Sequence, residues 1–392
     1  MTDFIKRGCI QFKTLAPVHI GCGRTVGKKE YLYDKDNGTM IILQMDKVFE
    51  RICKLGLADR FEKYLLGPEE EARREGEGDL YGFVRNNRIP EREYRTWSDE
   101  IVSIADPDMN YHSIKDINLF VRNERGMPYI PASGFKGMLR TVLEMDHYLK
   151  DRTQAREMGE RIKDEVGKFA YRTPRRDKIL KQEDADIDVA SLHKKLFDAR
   201  DRESEEKNLR DQKNDILRGL VVGDSDELPW KDMCICQKYD LNTDGVLRPF
   251  NVLRESIKPG VVIRIPISID TRVCRYNIED IVSAIRSFYA NYLKVFISKF
   301  SDAPRTRGNS TTFFLGGGTG YVSKTVTYGI LTGEDAVDTV AKIIDATIGS
   351  RVAEKHGHGK DVEKGVSPHI LKCTKYNGML MQMGTCCVTG YK

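Results

Sequence analysis

Three glycine-containing segments carry the residue types that can do chemistry. The first, Leu15-Ala-Pro-Val-His-Ile-Gly-Cys-Gly23, reads as a strand ending in a proline turn. Gly21 and Gly23 there let backbone approach a ligand closely. His19 is a candidate general base, but a single histidine after a strand fits a structural or RNA-stacking role better. The second segment is Pro128-Tyr-Ile-Pro-Ala-Ser133-Gly-Phe-Lys136-Gly-Met-Leu-Arg140-Thr-Val-Leu143. Pro131 and Ser133 are helix-start signals, with Ser133 expected as the N-cap. Phe135, Leu139, Val142 and Leu143 would face a core, leaving Lys136 and Arg140 four apart on the other face. Free N–H groups at a helix start, with two cations in the first two turns, would make an anion site.

The third segment is Phe314-Leu-Gly316-Gly317-Gly318-Thr-Gly320-Tyr-Val-Ser-Lys324-Thr325. It invites a nucleotide-loop reading, but that pattern needs Gly directly before Lys, and Ser323 stands there. No apolar strand ending in Asp follows to hold magnesium, so ATP hydrolysis is rejected. What remains is a glycine loop and Lys324, suited to drape over a sugar-phosphate chain. Such a loop is expected to be mobile until RNA orders it.

These segments need elements to hold them, and the chain alternates strand-like and helix-like pieces. Residues 8–16 and Met40–Leu43 read as strands, and Val48, Phe49, Ile52, Cys53 and Leu55 recur at helical spacing. Leu217–Asp224 reads as a buried strand. Val261, Ile263, Ile265, Ile267 and Ile269 alternate with polar or exposed types, with Pro266 hinting at an edge or bulge. A long helix follows, with Ile281, Val282, Ile285, Phe288, Tyr292 and Leu293 on its apolar face. Thr312–Leu315, an amphipathic helix around 337–348 and a strand pair near Met379–Val388 complete the set.

The order implies an α+β chain of two ferredoxin-like units, 1–215 and 216–392. Charged blocks at about 60–110 and 150–215 are then insertions in the first unit. The second block holds 18 basic and 17 acidic residues in 66, which favours solvated helices or a flexible insertion over a packed core. Within it, Arg172-Thr-Pro-Arg175-Arg176-Asp-Lys178 is basic enough to touch phosphates.

Composition narrows the function classes. The 392 residues carry 64 Lys and Arg against 59 Asp and Glu, a net charge of +5. That excess is mild, so a polyanion partner must be argued from where charges sit. No run approaches about 18 uncharged apolar residues, which argues against a membrane-spanning helix. The first residues lack the basic-then-apolar order of a signal peptide, and nine cysteines then fit a reducing cytoplasm. Cys234-x-Cys236 and Cys386-Cys387 are too tight for half of a zinc site, and His356-x-His358 would bind metal only weakly. No metal or cofactor is implied.

Taken together, Pro17-Val-His-Ile-Gly-Cys-Gly23, the Pro128–Arg140 segment, Gly316–Gly320 and Ser367-Pro-His369-Ile-Leu-Lys372-Cys-Thr374 resemble the RAMP superfamily of CRISPR systems. The order of these motifs most resembles the family of type III-A Csm subunits that cap the 3′ end of the guide RNA. Ala132 stands where that family often has Gly, and the charged blocks match no motif. The resemblance implies tandem RRM-like, ferredoxin-type domains and a non-catalytic RNA-binding subunit. Its partners would be the 3′ region of the CRISPR RNA, neighbouring RAMP backbone and small helical subunits, and host nucleases that trim the guide. RNA-binding positions would be His19, Gly21, Gly23, Ser133, Lys136, Arg140, the glycines 316, 317, 318 and 320, Lys324, His369 and Lys372. Tyr129, Phe314 and Tyr321 are candidates for stacking on bases, or core residues. Two other readings stay open: a metal-independent endoribonuclease using His19 or His369, and a purely structural bridge.

Overall fold

The computed structural model describes residues 4–34, 36–68, 70, 74, 76–109, 116–168, 176–195, 209–304, 308–347 and 357–392, with the backbone alone for 176–183. The isoleucine alternation forms β10 (Val262–Asp270), in which Ile263, Ile265, Ile267 and Ile269 are buried and Val262, Arg264 and Pro266 face out. It pairs antiparallel with β1 (Ile5–Thr14), which pairs on its other side with β14 (Thr385–Tyr391). The short β7 (Leu220–Val222) and β11 (Thr312–Phe314) close the two edges. Pro266 sits where β7 ends, and only its carbonyl is used, accepting from the Gly223 N–H at 2.9 Å.

Two helices cover one face of this sheet. Ala132–Lys150 buries Phe135, Leu139, Val142 and Leu143 as their spacing predicts, and Phe135 meets Phe12 and Phe313 at centroid distances of 5.6 and 6.0 Å. Ile278–Val295 starts at a capping box, in which Asn277 and Asp280 satisfy each other's backbone N–H, and its Tyr292 packs on Phe314 at 4.6 Å. Chain order is β1, helix, β7, β10, helix, β14, and spatial order is β14-β1-β10-β7. That is the ferredoxin-like arrangement.

A second, mixed sheet lies beside it. Its strands are β2 (Gly21–Gly27), β3 (Tyr31–Asp34), β4 (Thr39–Ile42), β5 (Ile101–Ile104), β6 (Asp116–Phe120), β8 (Met233–Asn242), β9 (Leu247–Ile257), β12 (Ile370–Tyr376) and β13 (Met379–Gln382). The order is β2-β6-β9-β8-β5-β4-β3, with β12 on β8 and β13 on β12. The architecture is α+β, with a ferredoxin-like sheet and a larger mixed sheet side by side. The boundary expected at 215/216 does not divide them. β1 belongs with β10 and β14, and β2–β6, β8–β9 and β12–β13 leave the first sheet to build the second.

The charged blocks are packed more than their composition implies. Met45–Lys54, Ala58–Leu66 and Leu80–Asn86 enclose a core of their own around Phe61, Phe83 and Trp97. Helix Arg152–Gly167 docks Ala155, Met158, Ile162 and Val166 into the main core, which Ile187 and Leu192 of Arg176–Leu192 also join. An apolar stripe only four side chains wide suffices, because the charges occupy the other faces. Of the basic run, 172–175 lies outside the described residues, as does His356. No described helix is long and apolar enough to cross a membrane.

Candidate nucleic-acid interface

The segment after β1 carries His19 to the junction of the two sheets. Val18 pairs with Ile257 of β9, and His19 pairs with Gly317, so the first and third glycine segments meet. The Gly317 N–H donates to the His19 carbonyl at 2.6 Å. His19 is buried, and its Nδ1 lies 2.6 Å from the Glu255 carbonyl. A carbonyl only accepts, so Nδ1 carries the proton and Nε2 is left as an acceptor. Burial, with repulsion from Arg254, outweighs that hydrogen bond and lowers the His19 pKa to about 4. The Glu255 carboxylate is wholly buried. It accepts from the Phe120 N–H and the Arg122 guanidinium, fixing the strand behind the ring.

The loop needs its glycines where it crosses this ring and an arginine. Gly316 has φ +83°, and a Cβ there would overlap the His19 carbonyl. Gly318 has φ +78°, and its Cβ would stand 2.6 Å from Nη1 of Arg254. Arg254, on β9, thus lies directly beneath the loop. Lys372 of β12 runs beside Gly320, and Lys238 of β8 faces the Phe250 ring at 4.0 Å. Asp240 pairs with both lysines, at 2.8 Å to Lys372 and 3.8 Å to Lys238. Among the described residues, no carboxylate pairs with Arg254 or with Lys324. Burial lowers the pKa of Arg254, of Lys238 and of Lys324, and the mutual repulsion of these cations adds to it for both lysines. Such crowding of like charges on a glycine floor is unfavourable until an anion arrives.

The sequence matches the RAMP superfamily over residues 11–323. The chain belongs to the RAMP superfamily. It is 28% identical over 317 residues to the CRISPR system Cms protein Csm5 of Streptococcus thermophilus, covering 80% of this chain and 78% of that one. The protein of that name from Enterococcus italicus is 25% identical over 397 residues, covering 93% and 91%. The fold is similar to a crystal structure of Csm5 from T. onnurineus, with TM-score 0.56 and 17% identity over 97% of this chain and all of that one. It is likewise similar to a chain in a cryo-EM structure of a Csm–crRNA–target RNA ternary complex of a type III-A CRISPR-Cas system. There the TM-score is 0.55 and the identity 18%, with 97% and 100% covered.

The second glycine segment of this RAMP chain is used differently from its reading as an anion site. The N-cap of Ala132–Lys150 is Pro131, and Ser133 lies inside the helix with no capping bond. The Ala132 N–H at the helix start already binds an internal anion, donating to the Asp224 carboxylate at 2.6 Å. Lys136 is part-buried and its ammonium is committed within the chain. Its ammonium donates to the Leu217 and Leu220 carbonyls at 2.8 and 2.7 Å. Arg140 is paired with Asp188 and, at 2.5 Å, with Asp215. Both cations therefore tie the helix to the segment entering β7.

His369 is also internal. Its Nδ1 donates to Asp361 at 2.5 Å, and His358 and the Ser367 hydroxyl donate to the same carboxylate at 3.0 and 2.7 Å. The sequence reading missed this grouping, because Asp361 sits in a segment with no motif. Three donors close on one buried carboxylate, which is a satisfied structural cluster. Gly21 and Gly23 lie exposed at the start of β2, with Gly21 against the His19 ring. The glycine loop is held within the chain by His19 and by Ser323, whose hydroxyl donates to the Gly320 carbonyl. It is not a free loop awaiting RNA. Phe314 is core, and Tyr321 is partly buried and bonded to Thr327.

Proposed function

We propose that this chain is a non-catalytic subunit of a type III-A CRISPR ribonucleoprotein, and that it holds the 3′ region of the CRISPR RNA. The observation that carries the reading is the unpaired Arg254 beneath the Gly316–Gly320 loop, with Lys324 at its far end. The half-buried glycine loop, which carries no bulky side chains, and these cations suit a phosphate chain of any sequence. The similarity to proteins named Csm5, and to a chain of a Csm–crRNA–target RNA complex, supports RAMP backbone and small helical subunits as its neighbours. His19 supports a binding role over an acid–base one. With Nδ1 committed to Glu255 the neutral ring has no spare proton to give at neutral pH, and a pKa of about 4 makes its free Nε2 a weak base.

The test is the double variant Arg254→Ala, Lys324→Ala assayed against guide RNA by filter binding over a salt series. Losing two phosphate contacts lowers the log–log salt slope by about 1.4, at roughly 0.7 per phosphate for single strands. An unchanged slope and affinity would overturn the assignment. A cleavage gel without metal, showing precursor cut by wild type but not by His19→Ala, would favour the endoribonuclease reading instead.

A further inference from the structure

A cavity of about 460 Å³ is lined by Lys324 but not by Arg254. That size falls within the range of small-molecule sites, about 300–1,000 Å³. Its walls are aliphatic: Ile162 and Val166 from Arg152–Gly167, Ile187 from Arg176–Leu192, and Val326 and Ile343. Three acidic side chains, Glu144, Asp184 and Asp188, also line it, and they differ in state. Asp188 is engaged by Arg140 and by His193. Glu144 is part-buried, and desolvation together with the nearby Asp188 charge pushes its carboxyl above the ordinary range. Asp184, at the rim, has no ion-pair partner among the described residues, and it faces Tyr321 closely enough to raise the phenol's pKa further after burial has done so.

The cavity therefore combines apolar walls with the Asp184 carboxylate at its rim and the ammonium of Lys324. We infer that it receives a single nucleobase of the bound RNA. The ring lies between the aliphatic walls, N–H groups on the base edge donate to Asp184, and Lys324 holds the phosphate of the same nucleotide. The inference rests on the RNA path proposed above, since Lys324 belongs to both surfaces. A carboxylate at the base edge ranks the bases. Guanine offers two adjacent N–H donors, adenine and cytosine offer an amino group, and uracil offers one N–H flanked by carbonyl oxygens that repel the carboxylate. The preference is graded, so guides of any sequence are still held.

The experiment compares two 12-nucleotide RNAs, all-uridine and alternating uridine–guanosine, by filter binding to the full chain. Wild type should prefer the guanosine-containing RNA roughly tenfold, the scale of one good bidentate edge contact. Asp184→Asn should abolish the preference while leaving the all-uridine affinity within about twofold, and Val326→Trp, which fills the cavity, should do the same. Asp184 is at the surface, so its variant keeps the result readable if Val326→Trp misfolds. Equal affinity of wild type for the two RNAs, or a preference that survives Asp184→Asn, overturns the nucleobase site. Arg254→Ala tells the two readings apart. It should weaken both RNAs equally, and if it weakens neither, the RNA path itself falls.

Discussion

Acidification should loosen this protein through His19, and the size of the effect follows from its surroundings. Burial is the largest cause of the shift from the ordinary 6.5 to about 4. A native pKa below the unfolded one means that, between those values, the unfolded chain binds a proton the native chain refuses. Stability then falls as pH drops from about 6.5 to about 4 and is level below that, for a total of about 3 kcal/mol at 1.36 kcal/mol per unit. Between pH 7 and pH 5 the loss is about 2 kcal/mol. Other groups titrate in this window too, so the measurement is the difference between wild type and His19→Asn. Asparagine keeps an N–H for the Glu255 carbonyl and does not titrate. Urea unfolding at pH 7 and pH 5 should show wild type losing about 2 kcal/mol more than the variant. Equal acid losses in the two proteins would refute the claim that the fold holds this ring neutral. Because the His19 carbonyl anchors Gly317, the same acidification should weaken guide RNA binding in wild type before the variant.

Lys136→Met should leave two carbonyls without donors and destabilise the chain by about 2–4 kcal/mol in urea unfolding, with guide RNA affinity unchanged. Loss of affinity without loss of stability would restore the helix as an anion site. Gly318→Ala should cost about 1–3 kcal/mol for a side chain at φ +78° and should also displace Arg254, so RNA binding falls along with the urea midpoint. Asp361→Asn should cost about 3 kcal/mol, because the amide cannot accept from both histidines and Ser367 at once. Its RNA affinity at matched folded fraction should be that of wild type.

What the sequence discloses is periodic, and what it hides is pairing. The isoleucines of β10 and the apolar stripes of Ala132–Lys150 and Ile278–Val295 declare their faces, because burial repeats at the strand and helix periods. Among site residues, His19, the loop glycines, Lys324 and Lys372 are legible as types and do converge. Arg254 is not. It stands between Leu253 and Glu255, five residues past Pro249 and outside every motif, and only the fold puts it under Gly318. The opposite error occurs at Lys136 and Arg140. A cation on a helix reads as free because its partners, Leu217, Leu220, Asp188 and Asp215, lie 48 to 84 residues away in sequence.

The interleaved topology explains why the site lies where it does. Three segments that link the ferredoxin-like sheet to the second sheet meet at one junction. His19 lies on the crossing from β1 to β2, Arg254 lies on β9 just before the return to β10, and the glycine loop leaves β11 on the way to β12. Three crossings meeting at one place crowd backbone against backbone, which is why Gly316 must pass over the His19 carbonyl with no side chain. Crowded crossings also leave backbone groups and long cations at an edge that neither sheet's core can cover. A contiguous division at 215/216 would have placed His19 and the glycine loop in different domains. The fold brings them within one hydrogen bond, so a ligand laid across that junction touches both sheets at once.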